Sequence, residues 1–264
     1  MANFVLDFLA SLFKNEETLM IYLSYMFIVC GLLTVLTLWL VTAPYGRYSR
    51  SGWGILVPST TAWLLQELPC LLVPLMLVLF SDCPRSIYYT NRFVLGLFLL
   101  HYCQRALIFP FLIRGGKPTP VSVFLMAAGF CIVNGYLQTG LHPEICRFDM
   151  DTPDLLTLNL FFYFQNLLGV LLFLSGMIIN LHSDSVLRNL RKPGESGYKI
   201  PYGGMFNYVS GANFLGEILE WWGFAILSWN LPALAFAIFT LCNIGPRKFD
   251  DYPASRKALI PFLL

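Results

Sequence analysis

Residues 55–80 read ILVPSTTAWLLQELPCLLVPLMLVLF, and this stretch decides the class of fold. It is long and apolar enough to cross a bilayer as a helix, which needs roughly 20 residues. Glu67 lies near its middle, and no basic residue lies nearby in sequence to pair with the carboxyl. Because an ionisable group inside a membrane is costly, such a residue marks a candidate functional site. The stretch therefore predicts a membrane-spanning helix that takes part in chemistry or transport.

The composition of the whole chain also indicates a membrane protein. Of its 264 residues, 57% are hydrophobic and 12% are charged, whereas roughly a quarter of the residues in soluble domains are charged. The net charge of +2 does not point to nucleic acid as a partner. Further apolar runs lie at residues 20–42, 87–112, 120–140, 157–181, 206–228 and 231–245. We therefore expect an all-α, polytopic protein in which residues 1–264 form a single domain with seven transmembrane helices.

The basic residues predict how this domain is oriented. Cytoplasmic loops are enriched in Lys and Arg, and with seven spans most of the 17 Lys and Arg residues fall on one side. This puts the C-terminal segment, about residues 245–264, in the cytoplasm and the N-terminal segment, residues 1–19, on the opposite side. We expect an integral protein of the endoplasmic reticulum membrane in a eukaryote, or of the inner membrane in a bacterium, with no obligate protein partner.

The cysteines and glycines exclude several kinds of site. The seven cysteines include no CxxC pair and no His-Cys cluster with metal-ligand spacing, so we expect no metal. Cys83 and Cys146 fall in loops on the same predicted side and could form a disulfide. No GxGxxG or P-loop motif is present. A nucleotide would therefore have to bind without a Rossmann or P-loop phosphate cradle.

The second predicted span contains an amide next to its carboxyl. Gln66 and Glu67 precede Pro69, so both side chains emerge at the edge of a proline-distorted helix. A protonated carboxyl there would donate a hydrogen bond to a carbonyl oxygen. Alternatively, Glu67 is a structural residue paired with Arg105 or another basic residue.

The third predicted span contains an aromatic hydroxyl between two basic residues. His101 and Arg105 share a helix face at positions i and i+4, while Tyr102 points elsewhere. A Tyr hydroxyl in an apolar pocket is a plausible acid toward a ketone oxygen. In the alternative interpretation, Tyr102 is an interfacial anchor or a packing residue.

Polar residues at helical spacing mark the end of the fifth span and one face of the sixth. The fifth has Asn180, Asp184, Arg188 and Arg191, and the sixth has Asn213, Glu217 and Glu220. The first face could hold ribose hydroxyls and phosphates, because Arg suits phosphate, or it could bind anionic lipid. The second suits a cation or proton pathway, or recognition of an amide or ribose, and Gly216 allows close approach of another backbone.

The residues from about position 58 onward resemble the steroid 5α-reductase (3-oxo-5α-steroid 4-dehydrogenase) family. The matching motifs are WLLQELP at 63–69, HY at 101–102, RGGKP at 114–118, NLHSD at 180–184, LRKPG at 190–194, YKIP at 198–201, GANFLGE at 211–217 and SRK at 255–257. The resemblance implies a seven-helix membrane enzyme whose helices enclose a cavity for steroid and NADPH. Such an enzyme reduces the double bond of a 4-ene-3-oxosteroid by adding hydride to carbon 5 and a proton to carbon 4.

The same resemblance implies roles for particular residues. Glu67 and Tyr102 would be catalytic and hydrogen-bond the 3-keto oxygen, and Gln66, Trp63 and Arg114 would bind the substrate. The residues expected to bind the nicotinamide cofactor are Asn180, Asp184, Arg191, Tyr198, Asn213 and Glu217.

One departure from the family pattern favours a different, non-catalytic function. The family has a segment with paired histidines, an aromatic residue and a tyrosine between the last span and a Phe-acidic-acidic-Tyr-Pro stretch. Here residues 242–248, CNIGPRK, run directly into residues 249–253, FDDYP. A non-catalytic sterol- or lipid-binding or transport protein that has lost part of the cofactor site is therefore an alternative. An ion-coupled carrier that uses Glu67, Glu217 and Glu220 is a third.

Overall fold

The computed structural model describes residues 15–41, 52–80, 89–114, 116–139, 156–190, 199–246, 252–253 and 256–257. Several predictions lie outside these ranges: the proposed disulfide of Cys83 with Cys146, the roles of Arg191 and Tyr198, and most of both terminal segments. The described part of the chain is built mainly from helices.

Helices follow one another along the described chain, with two short strands between them. The elements are α1 (Glu16–Leu40), β1 (Leu56–Val57), α2 (Ser59–Glu67), α3 (Pro69–Phe80), α4 (Tyr89–Tyr102), a π-helix (Cys103–Ile108), α5 (Phe109–Leu112), β2 (Thr119–Pro120), α6 (Val121–Thr139), α7 (Leu156–Arg188), a 3-10 helix (Gly204–Asn207), α8 (Ala212–Ser228) and α9 (Leu231–Ile244). The strands form an antiparallel pair, in which Leu56 lies opposite Pro120.

Five of the predicted spans are confirmed as helical segments long and apolar enough to cross a membrane. These are Glu16–Leu40, Ser59–Phe80, Asn91–Leu112, Val121–Thr139 and Phe162–Arg188. The other two predicted spans correspond to α8, with 17 residues, and α9, with 14 residues. At 1.5 Å per residue α8 is only about 26 Å long, because residues 204–207 form a separate 3-10 helix before it begins.

Local sequence accounts for the interruptions in two of the spans. Pro69 has no N–H to donate, and it separates α2 from α3 immediately after Glu67. In the third span, α4 passes into the π-helix directly after Tyr102. The Phe109 N–H then donates to the Gln104 carbonyl, five residues earlier. Both predicted catalytic residues therefore lie where a regular α-helix ends.

Glycines bring α7 and α8 into close contact. A Cβ atom at Gly216 would lie 2.5 Å from the Asn180 backbone nitrogen and 2.7 Å from the Gly176 carbonyl oxygen, so no side chain fits. Gly169 and Gly223 meet the facing helix in the same way. Small residues at such positions let helix backbones approach closely in membranes. The polar residues of α7 and α8 are thereby held against one another.

The largest apolar core surrounds Trp221 of α8, which is 1% exposed. Its ring contacts Phe98 at 5.9 Å, Tyr102 at 5.9 Å and Phe236 at 4.4 Å between centroids. Aromatic pairs at these separations add to the free energy gained by burial. This core fixes α4, α8 and α9 together and holds the Tyr102 ring in place.

Candidate functional site

Three ionisable side chains from three elements meet in what we call the arginine cluster, which consists of Arg105, Asp184 and Glu217. The Arg105 guanidinium donates to Asp184 Oδ2 at 2.9 Å and to Glu217 Oε2 at 3.1 Å. The Arg105 and Asp184 side chains are 8% and 5% exposed, and that of Glu217 is 21% exposed. The cluster joins the π-helix to α7 and α8, so it stabilises the arrangement of all three.

Aromatic rings support the Arg105 side chain. Its guanidinium carbon lies 4.6 Å from the centroid of the Phe109 ring and 5.3 Å from that of Trp63. These two rings meet edge to face at 5.1 Å. A guanidinium over an aromatic face gains a cation–π attraction, which is larger when water is excluded. Trp63, predicted to bind substrate, thus also helps to orient Arg105.

A second buried pair links α4 to α8. His101 Nδ1 lies 2.8 Å from Glu220 Oε1, and the residues are 4% and 0% exposed. Glu220 Oε2 is buried without a hydrogen-bond partner among the described residues. The two acidic residues of α8 therefore have different partners, since Glu217 contacts Arg105 and Glu220 contacts His101.

The two predicted catalytic residues, Glu67 and Tyr102, belong to a second group of hydrogen-bonded side chains that contains no basic residue. We call it the α6 cluster, and its other members are Cys70, Cys131 and Asn134. The Cys131 thiol donates to Glu67 Oε2 at 3.8 Å, and the Asn134 amide donates to the Tyr102 hydroxyl oxygen at 3.2 Å. Cys131 and Asn134 are three residues apart, so they share one face of α6. One turn of α6 therefore contacts both Glu67 and Tyr102.

Further hydrogen bonds complete the α6 cluster. The Gln66 amide donates to Glu67 Oε1 at the long distance of 3.4 Å, and the Cys70 thiol donates to the Cys131 carbonyl at 3.2 Å. Asn134 also approaches the Cys70 sulfur at 3.7 Å. Arg105 forms its ion pairs with Asp184 and Glu217 and not with Glu67, which was one of the partners considered for Glu67 as a structural residue.

The remaining predicted site residues fall into two places. Asn180 Nδ2 donates to the Asn213 carbonyl at 2.9 Å, which joins the polar faces of α7 and α8. Arg114 is exposed and donates to Asn189 Oδ1 at 3.2 Å, outside the arginine cluster and the α6 cluster. Within the described ranges, no group of three or more His, Cys, Asp or Glu residues is arranged to hold a metal ion.

Sequence reasoning missed the contribution of α6. Asn134 and Gln138 are 0% and 7% exposed, and their side chains are hydrogen-bonded at 3.1 Å. Their spacing of four residues within an otherwise apolar run was a usable signal, because polar residues inside a span face other helices or a cavity rather than lipid. It was overlooked because neither side chain is ionisable.

The fold and the site define a helical membrane protein with buried ion pairs beside a group of neutral hydrogen-bond donors. Among known families, the profile of the 3-oxo-5-alpha-steroid 4-dehydrogenases matches residues 117–264. The chain is 46% identical to 3-oxo-5-alpha-steroid 4-dehydrogenase 1 of Bos taurus, over 94% of this chain and 98% of the relative. It is 43% identical to the type 1 protein of Homo sapiens, over 94% of this chain and 96% of the relative.

These similarities extend over nearly the whole chain. The type 2 protein of Sus scrofa is 47% identical across 83% of this chain and 87% of its own length. The chain therefore belongs to the 3-oxo-5-alpha-steroid 4-dehydrogenase family of enzymes, and it is most like the type 1 members.

Proposed function

We propose that this protein reduces the 4,5 double bond of 4-ene-3-oxosteroids to give 5α-3-oxosteroids, with NADPH as the reductant. Family membership supports the reaction class. The observation that carries the proposal is the α6 cluster, in which one turn of α6 contacts both Glu67 and Tyr102. These two side chains would act together on one oxygen atom of the substrate.

The chemistry requires stabilisation of negative charge on the 3-keto oxygen. When hydride reaches carbon 5, charge develops on that oxygen, and donors already in position lower the barrier as in an oxyanion hole. The Tyr102 hydroxyl and a neutral Glu67 carboxyl would each donate a hydrogen bond to it. Gln66 and Trp63 would line the same steroid site, with Arg114 at its polar margin. The enolate would then take a proton from water at carbon 4, so that hydride and proton together give the saturated ketone, with NADP⁺ as the other product.

The nicotinamide cofactor would supply the hydride, and the facing parts of α7 and α8 have suitable residues for it. The Arg105 ion pairs use one oxygen of Asp184 and one of Glu217, and the other oxygen of a carboxylate can accept from ribose hydroxyls. Ser183 Oγ is buried without a partner in the described part of the chain. The residues proposed to hold the cofactor are Asn180, Asp184, Arg191, Tyr198, Asn213 and Glu217.

We further propose that residues 1–264 form one membrane domain of seven spans around the steroid and cofactor cavity. The five segments that are long enough and the two shorter apolar helices α8 and α9 support this arrangement. The C-terminal segment would lie in the cytoplasm, where NADPH is available. In a eukaryotic host the membrane would be that of the endoplasmic reticulum, and no obligate protein partner is required.

The proposal is tested by conversion of testosterone and progesterone in membranes that contain this chain, with and without NADPH. We expect 5α-reduced product, measured by mass spectrometry, only when NADPH is present. Glu67→Leu removes this donor and should lower turnover by about 10²–10³-fold, which is the range for loss of one donor to an oxyanion. Glu16→Leu is the matched control, because that carboxyl contacts the Tyr136 hydroxyl at 3.2 Å outside both clusters.

The main alternative is a non-catalytic sterol-binding protein. The direct connection of residues 242–248 to 249–253 favours it, since part of the family's cofactor site is absent there. A folded chain that binds steroid but yields no product with NADPH would support this alternative. Full activity of Glu67→Leu on both steroids would instead leave the reaction class intact and remove the role assigned to Glu67.

A further inference from the structure

We propose that Asn134 is a positioning residue that directs the proton of the Tyr102 hydroxyl toward the 3-keto oxygen of the steroid. This inference rests on the proposed function and adds a residue from α6 to it. Asn134 would not touch the substrate. It acts through Tyr102, because its amide donates to the Tyr102 hydroxyl oxygen at 3.2 Å.

Three hydrogen bonds link the Pro232 carbonyl, Gln138, Asn134 and Tyr102 in that order. The Pro232 carbonyl fixes which partner donates in each of them. Gln138 Nε2 lies 3.1 Å from the Pro232 carbonyl oxygen, which can only accept. The atom of Gln138 that faces Pro232 is therefore its amide nitrogen. The same NH₂ group lies 3.1 Å from Asn134 Oδ1 and donates to it. Both hydrogens of the Gln138 amide are thus used.

This arrangement fixes the orientation of the Asn134 amide. Since its oxygen accepts from Gln138, its nitrogen must face Tyr102, and it also approaches the Cys70 sulfur at 3.7 Å. A flipped Asn134 amide would place two NH₂ groups against each other and leave an oxygen facing the phenol. Asn134 is 0% exposed, so no solvent is available to compensate for such a flip. Unsatisfied buried donors are costly.

The consequence for Tyr102 concerns which way its hydroxyl can donate. A phenol has one O–H donor, and its oxygen can accept. With the oxygen accepting from Asn134, the hydroxyl proton must point elsewhere. The Cys70 sulfur is in hydrogen-bond contact with Tyr102 and is a weak acceptor, and the proposed site provides the 3-keto oxygen as a stronger one. The Tyr102 ring is 3% exposed and packs 4.7 Å from Phe98, so the hydroxyl is held in position. A donor fixed before substrate binds needs little reorganisation during reaction.

A purely structural role for Asn134 is the competing explanation. Buried amides often join helices in membranes by hydrogen bonds, and in that case the loss of Asn134 would affect every property of the enzyme. The two explanations differ in whether the effect depends on the Tyr102 hydroxyl. A double-mutant cycle between Asn134→Leu and Tyr102→Phe measures this dependence directly.

The cycle is measured on two properties. The first is kcat for testosterone with NADPH, and the second is the ratio of affinities for a 3-keto steroid and an analogue without the 3-keto oxygen, which needs no turnover. Asn134→Leu should lower kcat roughly tenfold and the affinity ratio severalfold, with a smaller change in KM. In the Tyr102→Phe background the same substitution should change either property by less than about twofold.

Two further variants keep the test decisive. Gln138→Leu removes the hydrogen bond that orients the Asn134 amide, so it should reduce kcat severalfold, again only when the Tyr102 hydroxyl is present. If Asn134→Leu does not fold, Gln138→Leu tests the positioning role in its place. Thr139→Val is the matched control, because among the described residues this buried α6 hydroxyl bonds only the Gly135 carbonyl of its own helix, at 2.6 Å. It should leave kcat and the affinity ratio unchanged within about twofold.

The outcomes separate this inference from the proposed function. Equal losses in the presence and absence of the Tyr102→Phe substitution would overturn the positioning role while leaving the enzyme assignment intact. An unsubstituted chain that gives no NADPH-dependent product would overturn the proposed function, and this inference with it. Losses that disappear when the Tyr102 hydroxyl is removed would support both.

Discussion

The arginine cluster and the α6 cluster contain two residues of the same span, Arg105 and Tyr102, which are three positions apart. The polar atoms of the two clusters are satisfied in different ways. Arg105 forms ion pairs with two carboxylates at 2.9 and 3.1 Å. Tyr102 instead accepts a hydrogen bond from a neutral amide at 3.2 Å. Near it, Glu67 contacts a thiol and an amide at the longer distances of 3.8 and 3.4 Å.

The difference shows how one buried region can serve both structure and chemistry. Buried charges that are paired and hydrogen-bonded resist separation, because removing one partner leaves the other uncompensated. The arginine cluster therefore fixes helix positions. Neutral donors in a dry site are free to act on an oxygen that becomes charged only during reaction. This is why we propose that the α6 cluster takes part in the chemical step, and the two clusters should respond differently to substitution.

The largest effect on this comparison is expected from Arg105→Leu. It leaves Asp184 and Glu217 without their cation, and the loss of one partner of a buried ion pair costs about 3–5 kcal/mol. The thermal midpoint of the purified protein in detergent should fall strongly. Arg105→Lys should recover only part of this loss, because a single ammonium cannot reproduce the fork of the guanidinium. An unchanged midpoint for Arg105→Leu would show that the cluster does not stabilise the fold.

An intermediate effect is expected from Gly216→Ala, which adds a methyl group where α7 and α8 are in closest contact and should push the two helices apart. The added Cβ would meet the Asn180 nitrogen at 2.5 Å, and overpacking of this kind costs about 1–3 kcal/mol. Separation of the two helices should weaken NADPH binding, measured by fluorescence titration, more than steroid binding. Gly129→Ala is the control, because nothing lies within 4 Å of its added Cβ. Equal effects of the two substitutions would contradict this account of the helix contact.

The smallest effect is expected from Arg114→Gln. Its contact with Asn189 at 3.2 Å is exposed, and exposed polar contacts contribute little to stability. The thermal midpoint should change by less than about 2 °C. If Arg114 binds substrate as proposed, KM for testosterone should rise while kcat stays nearly constant. A fall in kcat without a change in KM would move Arg114 out of the steroid site.

The sequence was sufficient to predict that ionisable groups from separate helices meet inside the membrane. Arg105, Asp184 and Glu217 stand out because charges are rare in apolar runs, and the structure brings them together. Their partners could not be assigned, since pairing depends on how the π-helix, α7 and α8 pack rather than on spacing within one helix. The long apolar runs also located five spans, four of them within about four residues at each end, while the fifth was predicted to end at residue 181 and ends at Arg188.

Other features depend on packing that a single helical pattern does not reveal. Asn134 lies 32 residues from Tyr102 in the chain, and nothing in its own neighbourhood indicates that partner. The late start of α8 follows from the 3-10 helix at Gly204–Asn207, which begins at two consecutive glycines, Gly203 and Gly204, with positive φ values of 102° and 54°. Hydropathy alone does not indicate such a turn, because the apolar residues Met205, Phe206 and Val209 continue the run up to α8.

The π-helix at Cys103–Ile108 has a consequence for relatives of different length. Its hydrogen bond from Phe109 to Gln104 spans five residues instead of four, so the segment holds one residue more than an α-helix with the same ends. Deleting one residue there, such as Ala106, would let the turn close as an ordinary α-helix while Tyr102 and Phe109 keep their faces. A one-residue gap in a homologue at this point is therefore compatible with an unchanged site.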